Sequence, residues 1–158
     1  MEFFTIGVYN STEEEFFGKL TESRIDTFCD IRQRRGVRGA KYSFVNSNRL
    51  QARLQEMDIK YGHVLGLAPT SEIRDMQKET DAKQKELKRD RSKLGFVFTT
   101  MYKKKILEGF DFDHFTEQLD DVGASRIVLF CVEEKPEACH RSIVTNELEK
   151  LGYSITHL

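Results

Sequence analysis

The sequence predicts an α/β fold: a mostly parallel sheet of about five strands with helices on both faces, a Rossmann-like three-layer arrangement. Three observations carry this. Apolar runs such as "RIVLFCV" and "EFFTIGVY" are near-continuous rather than alternating, as strands buried on both faces require. They alternate with segments whose apolar residues recur at helical spacing. At 158 residues the chain can bury one ordinary core, so it reads as a single domain over 1–158, with a polar helical excursion at about 70–95.

The first strand, "EFFTIGVY", runs into Asn10-Ser11-Thr12, residue types that cap a helix. A helix over about 12–22 should turn Phe16, Phe17 and Leu20 inward and hold Glu13, Glu14 and Glu15 near its positive end. "IDTFCDIR" is a second buried strand. The basic segment after it contains Gly36 and Gly39 and reads as a loop. Leu50, Leu54 and Met57 have helical spacing, so a helix of about 46–57 leads to a third strand in "IKYGHVLGL", ended by Pro69-Thr70.

Residues 71–93 read as a very polar surface helix, with Ile73, Met76 and Leu87 its large apolar residues. After Gly95, Phe98, Met101, Tyr102 and Ile106 recur as on a helix. A further helix covers "DHFTEQLDDV". "RIVLFCV" is the most apolar strand, "HRSIVTNELEKLGY" an amphipathic helix carrying Ile143, Val144, Leu148 and Leu151, and "SITHL" a short last strand. There is no internal repeat and no low-complexity tract.

No apolar run approaches the roughly 20 residues that a membrane-spanning helix needs, and no secretory signal follows Met1. The three cysteines, Cys29, Cys131 and Cys139, have no disulfide-scaffold spacing, which suits a reducing compartment. A cytoplasmic, membrane-free protein is therefore expected; no motif specifies an oligomeric state. The net charge of −1 hides an uneven distribution. "RQRRGVRGAK", 32–41, carries five positive charges and no negative one, and "KQKELKRDRSK", 83–93, carries six against two. Local anion sites are thus compatible with a mildly acidic whole.

In an open parallel sheet, ligands bind beyond the carboxyl ends of the strands. Three unusual segments fall there: 30–41, 63–70 and 133–141. In the last, Cys139-His140-Arg141 opens a helix, where unpaired amides and the dipole favour anions and lower a thiol's pKa. Cys139 and His140 are the candidate catalytic residues, and Arg141 can add a bidentate donor. The bland reading makes Cys139 a packed small residue, His140 a surface residue and Arg141 a partner of Glu133 or Glu134. Asp30 and Arg32 lie on the same side of an extended strand end, because side chains alternate with period two. They are candidate ligand-binding residues, with Arg35, Arg38 and Glu133. Tyr42 and Phe44 read as core anchors before stacking platforms, and His63 is placed either to reach the cleft or to pack beneath it. Cys131 to Cys139 is not a standard metal spacing and the histidines are scattered, so no metal and no cofactor is expected. The phosphate-binding lysine loop and the dinucleotide glycine fingerprint are absent.

Taken together, "TIGVYNSTEEEFFGKL", "IDTFCDIRQRRGVRG", "LAPTSEIRDMQ" and "LFCVEEKPEACHRSIVTNELEKLGYSITHL" resemble the domain-of-unknown-function 488 family over nearly the whole chain. The most specific elements are Thr-Ile-Gly, Asp-x-Arg after the second strand, and Cys-x-Glu followed by Pro-x-x-Cys-His-Arg. The resemblance implies Asp30, Arg32, Cys131, Glu133, Cys139, His140 and Arg141 as motif positions and supplies no reaction. "LGLAPT" replaces the family's usual Leu-Gly-Gly, and "RQRRGVRGAKYSF" looks like the mark of an arginine-rich subgroup.

The expected function is binding of a small anion, phosphate or nucleotide, in a cleft at the strand carboxyl ends. Two alternatives stand beside it. One is a nucleic-acid-binding module using the 32–41 loop and the 83–93 helix. The other is a protein-interaction domain contacting partners through 71–93.

Overall fold

The computed structural model describes residues 1–85 and 92–158. Five strands, β1 (Glu2–Ile6), β2 (Thr27–Asp30), β3 (Lys60–His63), β4 (Arg126–Phe130) and β5 (Ile155–His157), form one sheet in the order β3-β2-β4-β1-β5, with every pairing parallel. Among the described residues six α-helices join them: α1 (Glu13–Glu22), α2 (Ser47–Glu56), α3 (Ser71–Gln84), α4 (Phe96–Lys105), α5 (Phe112–Asp121) and α6 (His140–Lys150). The α/β reading and the parallel sheet are as the sequence predicts.

The connections explain where a cleft can open. The chain moves from β1 across to β2 and β3, then reverses through β4 to β5. Right-handed crossovers, the rule for parallel strands, put α1 and α2 on one face and α3 to α6 on the other. The loops leaving the adjacent strands β2 and β4 therefore part to opposite faces. Ile6 and Asp30 are both in register with Phe130, so the three central strands end at one level, and the turns beyond them face each other.

Helix α1 starts where capping chemistry requires. The Thr12 hydroxyl accepts from the Glu15 amide at 3.1 Å, and the Glu15 carboxylate accepts from the Thr12 amide at 2.8 Å, a reciprocal capping box. Its inward Phe16 is fully buried. The ring meets Phe130 edge-on at 5.4 Å and lies 5.7 Å from Phe44. Burying such a ring stabilises the fold by about 1.5–3 kcal/mol. On the other face α4 packs against α3 and α6, and Tyr102, fully buried, donates its hydroxyl to the Leu67 carbonyl at 2.6 Å.

Three boundaries differ from the sequence reading. The third strand stops at His63 instead of running to Leu67. Its last ladder bond joins the Val64 amide to the Asp30 carbonyl, after which Leu65–Leu67 tighten into a 3₁₀ turn. The polar helix ends at Gln84, where Lys85 takes a left-handed φ of 54°; Leu87 and the rest of the predicted helix to residue 91 lie outside the described residues. The last helix ends at Lys150, short of the predicted segment's Tyr153, and Leu151 is its C-cap, 47% exposed. Among the described residues no helix is long and apolar enough to cross a membrane.

Candidate functional site

The turn after β2 is organised by one carboxylate. Asp30 is fully buried, and its two oxygens receive Arg32 Nε at 2.9 Å and Nη2 at 2.7 Å, a bidentate pair. Asp30 also accepts from the Arg32 amide at 3.1 Å and from the Tyr61 hydroxyl at 3.0 Å. Burial, with the Asp30 charge adding, raises the Tyr61 pKa, so the phenol stays protonated and donating. The Arg32 guanidinium lies 4.5 Å above the Phe130 ring and gives a further bond to the Val45 carbonyl at 3.0 Å. Its Nη1 has no partner among the described residues.

Two imidazoles fasten the same turn from opposite sides. His63 Nε2 lies 2.8 Å from the Arg32 carbonyl, and His140 Nε2 lies 3.0 Å from the Ile31 carbonyl. A carbonyl can only accept, so in each ring Nε2 carries the hydrogen. His63 thus acts as a backbone clamp at the end of β3.

The turn after β4 is shaped by main-chain groups. The amides of Val8 and Tyr9 donate to the Val132 carbonyl at 3.1 and 3.0 Å. Gly7 lies so close beneath that a Cβ there would sit 2.0 Å from the Glu133 carbonyl oxygen. This explains the glycine of Thr-Ile-Gly: no side chain fits. Arg141 is 1% exposed and donates Nη1 to the Glu133 carbonyl at 2.5 Å and Nη2 to the Glu134 carbonyl at 2.6 Å. It therefore ties α6 to the loop. Pro136 opens a 3₁₀ turn that brings the chain back to Cys139, the extended N-cap residue of α6.

That return places Cys139 beside Cys131. The ligand atoms of Cys131, Cys139 and His140 all lie within 4.8 Å of one another, and Cys139 Sγ is 3.7 Å from His140 Nδ1. Cys131 donates to Glu133 Oε2 at 3.2 Å. Its thiol is pushed well above the ordinary range, chiefly by its hydrogen bond with Cys139 and then by burial. The third cysteine, Cys29, is buried in the sheet, which raises its pKa to about 12.

Between the two turns lies a cleft of about 560 Å³. Arg32, Arg38, Glu133 and His140 of the sequence-predicted site line it, as does Cys131. Asp30 lies beneath Arg32. Cys139 is fully buried and, like Arg141, is absent from the lining; Cys139 is thus no exposed helix-end thiol. Arg35 is also outside the lining, since its guanidinium turns to the Tyr61 hydroxyl. Phe44 is a core residue, whereas Tyr42 lines the cleft, 5.3 Å from the Tyr9 ring.

A family model for a domain of unknown function, DUF488, matches residues 12–148. The chain belongs to the DUF488 family. No curated protein and no solved structure matches it. In this DUF488 domain the motif positions Asp30, Arg32, Cys131, Glu133, Cys139, His140 and Arg141 all fall at the carboxyl edge of β2 and β4.

Sequence reasoning missed the wall that α3 supplies to this DUF488 cleft. Arg74, Gln77, Lys78 and Asp81 line it, and Gln77 and Asp81 are buried, joined by a 2.7 Å bond. Gln77 Oε1 also accepts from the Gly95 amide at 2.9 Å. The signal was present: these four polar residues recur at helical spacing, marking a polar face that turns inward.

Proposed function

We propose that the cleft binds a small ligand with an anionic end and a flat ring, of the phosphate or nucleotide class. The observation that carries this is the charge of the lining. Arg32, Arg34, Arg38, Arg74 and Lys78 contribute five cations, against the two carboxylates of Asp81 and Glu133. Arg34 and Arg38 come from the loop after β2, Arg74 and Lys78 from α3 across the gap. An anion held between them would meet donors from both walls, and Arg32 Nη1 supplies a buried donor still without a partner among the described residues. Asp30 already compensates the Arg32 charge, so that donor acts by hydrogen bonding more than by net charge.

Tyr9, Tyr42 and Phe98 supply flat apolar surface in the same cleft, where a base or similar ring would stack. The cleft thus sets flat apolar surface beside convergent charged groups, the pairing that a ligand with a ring and an anionic end needs.

Calorimetric titration of the full chain with inorganic phosphate, a nucleoside monophosphate and the uncharged nucleoside tests the reading. Phosphate and nucleotide should bind competitively, the nucleotide more tightly. Arg38→Ala and Arg34→Ala should each weaken binding about ten-fold or more, the loss of one charge-assisted hydrogen bond being worth about 1.5–3 kcal/mol. No heat with either anion, or affinity unchanged in the double variant, would overturn it. Oligonucleotide binding that is tighter than mononucleotide binding and falls steeply with salt would replace it with the nucleic-acid reading.

A further inference from the structure

We propose that Cys131, Cys139 and His140 form a site for a divalent transition ion of the zinc class at the floor of the cleft. This inference stands apart from the anion reading and rests on different residues.

Geometry comes first. Zinc binds thiolate sulfur at about 2.3 Å and imidazole nitrogen at about 2.0–2.1 Å, so tetrahedral angles set S···N near 3.6 Å and S···S near 3.8 Å. Here Cys139 Sγ and His140 Nδ1 are 3.7 Å apart, and all three ligand atoms lie within 4.8 Å of one another. Side-chain shifts of about an ångström or less would bring all three ligand atoms to those separations.

The imidazole is already in the tautomer that a metal needs. His140 Nε2 gives its hydrogen to the Ile31 carbonyl at 3.0 Å, which leaves the Nδ1 lone pair facing the thiols. A histidine ligand orienting itself by donating its other nitrogen to a carbonyl is the usual outer-shell arrangement. Charge also balances within the ligand set, because two thiolates neutralise a dication. The three side chains are 6%, 0% and 4% exposed, and they come from the end of β4 and the first turn of α6, both rigid anchors.

The site is not closed. Cys131 and His140 line the cleft, with Glu133 beside them. Three protein ligands with a fourth position facing a cleft is the pattern of zinc sites that hold water or substrate. The sequence hides this cluster because the eight-residue step from Cys131 to Cys139 matches no standard spacing; the 3₁₀ turn at Pro136–Ala138 makes the two meet.

The test is titration of the reduced, chelator-treated full chain with Co²⁺ in place of zinc. One equivalent should develop a thiolate-to-cobalt charge-transfer band in the near ultraviolet and intense visible bands of tetrahedral cobalt, and Zn²⁺ should bleach both. Cys131→Ser and Cys139→Ser should each weaken uptake at least ten-fold, while Cys29→Ser should leave the spectrum unchanged. Circular dichroism of each variant separates loss of ligand from loss of fold. Absence of the charge-transfer band in the folded wild type, or its persistence in folded Cys131→Ser, overturns the site. So does a reduced protein that takes up no cobalt but forms a Cys131–Cys139 disulfide under mild oxidation, which would make the pair a redox couple instead. Phosphate titration of metal-free protein reads the anion proposal separately, so either can fail alone.

Discussion

The turns after β2 and β4 each bury an arginine, and they use it in opposite ways. Arg32 finds a carboxylate two residues away on its own turn, and the pair is reinforced by Tyr61, the Val45 carbonyl and the Phe130 ring. Arg141 reaches back eight residues from a helix to two main-chain carbonyls. The first turn is thus centred on an ionic pair of its own, with neighbouring elements added around it. The second has no such unit: its shape depends on a helix behind it and on Gly7, just past the end of β1, below it. Each guanidinium keeps one nitrogen without a partner among the described residues, Arg32 Nη1 and Arg141 Nε, but of the two residues only Arg32 lines the cleft.

Removing the carboxylate tests the first half of this contrast and should have the largest effect. Asp30→Ala leaves Arg32 buried without its counter-charge, and urea unfolding should show a loss of about 3–5 kcal/mol. Pairing it with Arg32→Met should recover part of that loss; a double variant no more stable than Asp30→Ala would show that the turn is held by something else.

Arg141→Met keeps most of the volume and strips the two donors from the Glu133 and Glu134 carbonyls. The expected cost is about 2–3 kcal/mol, read in the same unfolding experiment. Increased hydrogen exchange should be confined to the loop at 132–139 and spare the amides of residues 30–32. Equal exchange in both turns would dissolve the distinction between them.

The smallest effect is expected from Tyr61→Phe, which deletes one of several bonds to Asp30. It should cost about 0.5–1.5 kcal/mol, because Arg32 retains its bidentate grip. A larger loss would mean that the phenol, not the guanidinium, sets the carboxylate's position.

Much of this was legible from residue patterns. The near-continuous apolar runs gave the strands of a doubly covered sheet, Thr12 and Glu15 marked the start of α1, and period-two alternation put Asp30 and Arg32 on one side. What escaped is what tertiary placement decides. Whether Arg141 points to solvent or inward depends on where α6 docks, since its neighbour His140 points to a different turn. Arg35 and Arg38 are three residues apart in one basic loop, yet Tyr61 draws the first away while the second faces the cleft. The inward polar face of α3 looked like surface because polar residues usually are, and only a wall opposite makes it otherwise. The meeting of Cys131 and Cys139 required a turn whose return direction no spacing rule encodes.

Consecutive residues at the start of α6 have one further consequence. His140 holds the Ile31 carbonyl, while Arg141 holds those of Glu133 and Glu134. The helix end is a rivet through both turns. A ligand that shifts the start of α6 as a whole would therefore be felt at both edges of the cleft, each through its own residue.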